Sequence, residues 1–270
     1  MIRLLLAVIL GVTASRCTDA KLPVAAGPQP APPGWAQTMA TVEELRLRPE
    51  ASKEAVSLLE KVVADAPGFP GGHFELGDAY FSAANSDYAA PMDARDAVFE
   101  KAIASLRRAQ ELGYEPRGDV REKITQVQVR LLKFADVERE ARTWVGEQSE
   151  NPTAWMTLAA ALSSQRRPDE GVRLMLEAGS KIPASGQVEH GRNLVWLAGL
   201  GGVPTDARRQ LIAAGQAVAD TELAAKRASV DLNLLRARIL TTTADHLEPD
   251  LARQRRLREE ADKFLALPSR

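Results

Sequence analysis

The segment Pro152–Ser185 reads PTAWMTLAAALSSQRRPDEGVRLMLEAGSKIPAS and is the most informative part of this chain about its fold. Small residues at three positions allow two antiparallel helices to approach closely: Ala159, Gly171 and Ala178. Larger apolar residues fill the space between those helices: Trp155, Leu158, Leu162 and Met175. Pro183 is expected to end the second helix, because a proline nitrogen cannot donate the next backbone hydrogen bond. This one segment therefore predicts a pair of packed helices.

Parts of this pattern recur along the chain. A second copy begins at Phe74–Tyr80, FELGDAY, and its second helix carries Ala102, Leu106 and Ala109. The residue that begins the second-helix pattern stands at positions 55, 102, 137, 171 and 207, so successive intervals are 47, 35, 34 and 36. A nearly constant period is typical of an array of repeated helix pairs, and the first interval holds 13 extra residues.

These residues resemble the tetratricopeptide repeat family, whose first helix carries the motif W-x2-L-G-x2-Y. The resemblance implies an all-α fold, a right-handed superhelical array of antiparallel helix pairs. Residues 35–219 would form about five repeats and residues 220–270 capping helices that match the motif poorly, since terminal repeats meet water. The tail is predicted as two helices broken at Thr241–Thr243 and Pro249. The expected repeat-packing residues are Leu76, Gly77, Tyr80, Ala102, Ala109, Trp155, Leu158, Ala159, Gly171, Ala178 and Pro183.

The N-terminal part of the chain, up to Gly34, predicts an export segment and a tether. Residues 1–16 have the layout of a signal peptide, and the apolar run Leu4–Val12 is too short to span a bilayer. Ordinary cleavage after Ala14 would free a soluble periplasmic protein. Alternatively, Cys17 would carry a lipid as in bacterial lipoproteins, although Arg16 departs from the lipobox. Residues 17–34 are rich in proline and alanine and are expected to be an extended tether.

Neither composition nor motifs indicate enzyme chemistry. The net charge is −1, which argues against a nucleic-acid partner. The three histidines, His73, His190 and His246, lack the spacing of metal ligands, and Cys17 lies in the export segment. Gly199–Gly202 lacks a preceding strand and a following lysine, so it predicts a turn and not a phosphate loop. We therefore expect no catalytic residue, no cofactor and no metal.

The resemblance implies a concave groove lined by the first helix of each repeat. The family's groove positions fall on Phe74, Asp78, Phe81, Glu122, Gln126, Arg130, Met156 and Ser163. Chaperone-binding members hold a C-terminal carboxylate with lysine and asparagine there, whereas this chain has Phe74 and Asp78. The sequence therefore predicts a partly apolar groove for a helix or an extended segment of a partner.

The 13 extra residues fall within Ser82–Asp96, and two interpretations stay open. In the first interpretation, a helix of this pair is longer by a turn or two, and Tyr88 and Met92 pack on a neighbouring helix. Alternatively, Tyr88 and Met92 cover the mouth of the groove and contact the partner.

Two functions follow as hypotheses. The first is a scaffold of the bacterial cell envelope that assists the assembly or maturation of a secretion, pilus, outer-membrane or periplasmic redox-enzyme system. Its partners would be other envelope proteins, with a membrane contact only through a lipid on Cys17. The second is a small-ligand-binding accessory protein of a solute uptake system. An open groove favours the first, and a closed pocket ringed by polar groups favours the second.

Overall fold

The computed structural model describes residues 27–87, 89–225, 227 and 229–266. These residues form twelve α-helices and contain no strand, which confirms the all-α class. The helices are α1 (Trp35–Arg46), α2 (Ser52–Asp65), α3 (Pro70–Ser86), α4 (Met92–Glu111), α5 (Arg117–Arg130), α6 (Phe134–Glu147), α7 (Pro152–Ser164), α8 (Pro168–Ala178), α9 (Gln187–Ala198), α10 (Thr205–Ala224), α11 (Val230–His246) and α12 (Leu251–Leu265).

The helix starts follow from local sequence. Prolines occupy the first turn of α3, α7 and α8, where the missing N–H would have no partner within the helix. The Asn151 side chain caps α7 by accepting the backbone N–H of Thr153 at 2.9 Å. Ser229 and Asp250 cap α11 and α12 in the same way. These caps place the helix starts independently of distant contacts.

The ends of α5 and α7 share one backbone motif. Leu132 and Arg166 have positive φ angles of 56° and 62°, and each is the second residue after its helix ends. The next residue in the chain closes each motif with a backbone hydrogen bond. The N–H of Lys133 donates to the carbonyl of Gln128, and the N–H of Arg167 donates to the carbonyl of Leu162, both at 2.9 Å. This is the Schellman pattern, in which glycine is the usual residue. The helix starts repeat as well, since α5, α7 and α9 begin at positions 117, 152 and 187, a constant interval.

Helices pack in neighbouring pairs along the chain. The most extensive pairs are α3 with α4, α11 with α12, α9 with α10 and α7 with α8. Odd-numbered helices also contact one another, namely α3 with α5, α7 with α9, and α9 with α11. Packing between helices that are neighbours in the chain is therefore supplemented by contacts between these three pairs of alternate helices.

Two glycines mark close helix crossings within neighbouring pairs. A Cβ on Gly77 of α3 would lie 2.6 Å from Leu106 Cγ of α4, and one on Gly171 of α8 would lie 2.9 Å from the carbonyl oxygen of Ala159 of α7. Most of the expected repeat-packing residues are buried: Leu76, Gly77, Ala102, Ala109, Trp155, Leu158, Ala159, Gly171 and Ala178. Tyr80 is half-buried and donates its hydroxyl hydrogen to Glu60 of α2 at 2.5 Å.

Three sequence predictions need correction. Helix α8 ends at Ala178, well before Pro183, because Gly179 and Ser180 are weak helix formers and the chain turns there. The threonines Thr241–Thr243 lie inside α11, where Thr243 donates its hydroxyl hydrogen to the carbonyl of Ile239 at 2.7 Å and so satisfies its polar group. The boundary predicted at residue 219 falls within α10.

The extra residues of the first interval lengthen α3 to 17 residues and α4 to 20. Only the short segment 87–91 connects the two helices. Met92, the first residue of α4, is 76% exposed, so it does not pack on a neighbour. Tyr88 lies outside the described residues.

Candidate functional site

A groove with a volume of about 920 Å³ runs across α5 and α7 and is completed by α3, α6 and α9. We call it the groove throughout. Its lining residues are Phe81 of α3; Glu122, Thr125, Gln126, Val129 and Arg130 of α5; Phe134 and Val137 of α6; Thr153, Met156, Thr157, Ala160, Ala161 and Ser164 of α7; and Trp196 of α9.

The helical period explains why one face of α5 lines the groove. Glu122, Gln126, Val129 and Arg130 follow one another at steps of four, three and one along the helix, so they share a face. The opposite face of α5 is buried through Val120, Ile124 and Val127. In α7 the same division separates the lining residues from the buried Trp155, Leu158 and Leu162. Core packing on one side of each helix therefore fixes which residues face the groove.

The groove lining is partly apolar and open to solvent. Phe81, Phe134, Met156 and Trp196 are half-buried, so each presents part of its side chain to the groove. Val129 is 43% exposed, which is high for a valine facing a cavity. An exposed apolar surface of this kind is typical of a binding site.

Two lining residues are charged, Glu122 and Arg130, and both are partly or fully open to solvent. They lie two helical turns apart on α5, which corresponds to about 12 Å along the helix axis. Gln126 donates a side-chain N–H to Glu122 Oε1 at 3.0 Å. Within the described part of the chain, neither Glu122 nor Arg130 forms an ion pair. The groove lining thus carries one negative and one positive charge, separated along α5.

Other charges beside the groove are already paired. Asp78 accepts a hydrogen bond from Lys123 at 2.6 Å and lies 3.1 Å from Arg46, which also pairs with Glu75 at 2.6 Å. Lys133, in the loop after α5, pairs with Glu100 of α4 at 2.5 Å. Glu189 of α9 adds an acidic group beside the groove, where it accepts a hydrogen bond from Thr153 of the lining at 2.8 Å. Glu122 and Arg130 are the charged residues of the lining itself.

Five of the predicted groove residues line the groove: Phe81, Glu122, Gln126, Arg130 and Met156. Phe74 does not, because its ring stacks on Tyr114 with 4.3 Å between ring centroids. Asp78 does not, because Arg46 and Lys123 hold it. Phe74 and Asp78 are therefore not part of the groove lining.

Met92 and Ser163 also lie outside the groove lining. Met92 projects into solvent at the start of α4 and lines no part of the groove. Ser163 instead donates its hydroxyl hydrogen to the carbonyl of Ala159 at 2.9 Å and faces Gly171 of α8. Tyr88 and Cys17 lie outside the described residues.

Sequence reasoning missed Phe134 and Trp196. Phe134 belongs to α6, the second helix of a pair. The resemblance to tetratricopeptide repeats predicts groove residues on first helices only, so it could not predict Phe134. Trp196 lies in α9, one repeat interval after Ala161, which also lines the groove. Extending the interval between α5 and α7 by one more repeat would have found it.

An ionic cluster around the buried Glu138 lies next to Phe134. Glu138 of α6 accepts hydrogen bonds from Arg167 at 2.9 and 3.0 Å and from Gln165 at 2.7 Å, and it also pairs with Arg142. Burial raises the pKa of Glu138, but hydrogen bonds from Gln165 and Arg167 outweigh burial and leave the pKa below its usual value. Gln165 also donates to the carbonyl of Phe134 at 3.3 Å. The cluster thereby connects α6, α7 and α8 behind the groove.

The described histidines lie away from the groove. His73 has its Nε2 2.9 Å from the carbonyl oxygen of Pro67, and burial lowers its pKa. His190 is 1% exposed, and burial lowers its pKa to about 4. His246 is exposed. Across residues 27–87, 89–225, 227 and 229–266, no three histidine, cysteine, aspartate or glutamate residues cluster in a way that could hold a metal ion.

No family model matches this chain, and no curated protein sequence matches it. The resemblance to tetratricopeptide repeats therefore stays a prediction from the residues quoted above. Among the residues that the structure describes, no helix has the length and apolar character required to cross a membrane.

Proposed function

We propose that this chain is a non-enzymatic scaffold that holds a segment of a partner protein in the groove. One observation carries the proposal: a solvent-open, partly apolar groove of about 920 Å³ is lined by residues of several helices. Surfaces that bind a chain segment combine apolar contacts with a few polar groups that set its orientation. Met156 and Trp196 supply the apolar contacts here, and Glu122 and Arg130 supply the polar groups.

The proposed architecture is a right-handed superhelix of tetratricopeptide type. The constant interval between the starts of α5, α7 and α9 supports it, as do the contacts of α7 with α9 and of α9 with α11. In such an array the first helices of successive pairs line the concave surface. Most of the groove's lining belongs to α5 and α7, two successive first helices.

The proposed setting is the bacterial cell envelope, where the scaffold would assist the assembly or maturation of an envelope complex. The support is the signal-peptide layout of residues 1–16 and the lone Cys17 before a proline-rich stretch. If Cys17 carries a lipid, Cys17→Ser will move the protein from the membrane fraction to the soluble periplasmic fraction. An unchanged distribution, with a mature N-terminus at Ser15, would establish the soluble form instead.

A small-ligand accessory protein is the second candidate, because the groove volume lies within the range of small-molecule sites, about 300–1,000 Å³. Such sites bury most of the ligand's surface. In the groove, however, Val129 is 43% exposed and Glu122, Arg130 and Ser164 are not buried, so a small molecule there would stay in contact with water. The openness of the groove favours a chain segment.

The test is site-specific cross-linking in the native envelope. A photoreactive residue at Ser164, within the groove, is compared with one at Thr143, exposed on α6 outside it. We expect a discrete protein adduct from position 164 alone. Ala160→Arg places a long side chain in the groove and should abolish that adduct, whereas Ala213→Arg, at an exposed alanine of α10, should not. An adduct that is insensitive to Ala160→Arg would contradict the proposal.

A further inference from the structure

We propose that the groove selects an extended partner segment of the pattern basic–x–apolar–x–acidic, in either chain direction. This inference rests on the proposed function. The basic residue would pair with Glu122, the acidic residue with Arg130, and the apolar residue would lie between them.

The charge arrangement of the groove specifies the ends of this pattern. Glu122 and Arg130 are the two charged residues of the lining, and in the described part of the chain neither is neutralised by an ion pair. Their neighbours Asp78 and Lys133 are paired with Lys123 and Glu100. A segment with charges of one sign would therefore meet one attraction and one repulsion, and only a segment with opposite charges at its two ends satisfies both.

The spacing of the pattern follows from helix and strand geometry. Glu122 and Arg130 are separated by about 12 Å along α5, at a rise of about 1.5 Å per residue. Four steps of an extended chain cover about 13 Å, at ~3.3 Å per residue. Alternate side chains of an extended segment point to one side, so its first, third and fifth residues face the groove together.

The third residue would meet the apolar residues of the groove lining. Met156 of α7 lines the groove, and Phe81, Phe134 and Trp196 complete the apolar lining. A single leucine-sized side chain on the segment would bury apolar surface of this lining, which is open to solvent in the free protein. Its burial supplies affinity, while the two charges supply selectivity.

The volume favours an extended segment over a helix. Five extended residues fill about 800 Å³, taking the ~4.8 Å and ~10 Å packing distances of strands as their cross-section. A two-turn helix of ~10–12 Å diameter fills about 900–1,400 Å³. The groove offers about 920 Å³, so it accommodates the extended segment fully and the helix only if the helix takes all of it.

The test measures the affinities of capped synthetic peptides by fluorescence polarisation. The four peptides contain Lys-Ser-Leu-Ser-Glu, Lys-Ser-Leu-Ser-Lys, Glu-Ser-Leu-Ser-Glu and Ser-Ser-Leu-Ser-Ser between identical flanks. The wild-type chain should bind the first peptide about two- to fivefold more tightly per ion pair than the uncharged one, since both pairs are exposed to solvent. The preference should fall as salt is raised to about 1 M.

Charge-reversed variants change the preferred peptide in a defined way. In the Glu122→Lys variant positions 122 and 130 are both positive, so this variant should bind the doubly acidic peptide most tightly. In the Arg130→Glu variant both positions are negative, so it should bind the doubly basic peptide most tightly. Glu54→Lys and Arg238→Glu make the same charge changes on α2 and α11, outside the groove, and should keep the wild-type preference.

The outcomes separate this inference from the function beneath it. Binding of all four peptides with equal affinity by every variant would overturn the pattern and leave the scaffold function standing. A stapled helix with lysine and glutamate two turns apart that binds more tightly than the extended peptide would overturn the extended conformation. Failure of every peptide, together with no adduct at position 164, would overturn the scaffold function as well.

Discussion

Gly77→Ala should destabilise the crossing of α3 and α4, although alanine is the better helix former. A Cβ at position 77 would lie 2.6 Å from Leu106 Cγ, 2.9 Å from Leu106 Cδ2 and 3.2 Å from the carbonyl oxygen of Ala102. Leu106 is fully buried, so its side chain has no solvent-exposed space into which it can move. One of the two helices must therefore shift.

The magnitude follows from two opposing effects. Replacing glycine by alanine within a helix stabilises it by up to about 1 kcal/mol. Overpacking a filled site costs about 1–3 kcal/mol. The net effect of Gly77→Ala is therefore a loss of about 0–2 kcal/mol. Gly146 of α6 is the matched control, because a Cβ there meets nothing within 4 Å, and Gly146→Ala should stabilise the protein by up to about 1 kcal/mol.

The assay is urea unfolding followed by far-ultraviolet circular dichroism, with a double-mutant cycle on Leu106. In a Leu106→Ala background the clash is removed, so Gly77→Ala should become neutral or stabilising. A close contact between position 77 and Leu106 is excluded if Gly77→Ala raises the urea midpoint as much as Gly146→Ala does, or if Gly77→Ala has the same effect in both backgrounds.

Two more predictions concern a buried histidine and a strained leucine. Burial lowers the pKa of His190 to about 4 in the folded protein, whereas the same side chain in the unfolded chain has a pKa near 6.5. The contribution of neutral His190 to the free energy of unfolding is therefore fully present above pH 6.5 and is lost as the pH falls toward 4. Between pH 7 and pH 5 the loss is about 2 kcal/mol. Urea midpoints at both pH values should fall further for the wild type than for His190→Gln, and equal falls would contradict the assignment. Leu132 has a φ of 56° and is 73% exposed, so Leu132→Gly should relieve left-handed strain and stabilise the protein by about 0.5–1 kcal/mol despite the greater chain entropy of glycine. Leu47 is also exposed but has a φ of −73°, so Leu47→Gly should destabilise the protein. If the two variants shift the melting temperature in the same direction, Leu132 is not strained.

Much of the fold was predictable because helix formation is local. The spacing of small residues around Gly77 and Gly171 predicted helix pairs, and both glycines lie where two helices meet. Part of the groove was predictable for the same reason. Glu122, Gln126 and Arg130 share a helical face whatever packs behind it, since the helical period alone determines that face.

The export segment and Cys17 remain predictions of the sequence alone, and so does the right-handed superhelix. Which side chains on the predicted face stay available depends on how the helices pack in the folded chain. Phe74 is taken by Tyr114, which lies in the loop between α4 and α5, and Asp78 is taken by Lys123 of α5. Trp196 reaches the groove from α9, a helix beyond the two that form most of it. A helical period is set by hydrogen bonds between residues four apart, whereas the partner of a surface side chain is chosen by helices that meet only after the chain has folded.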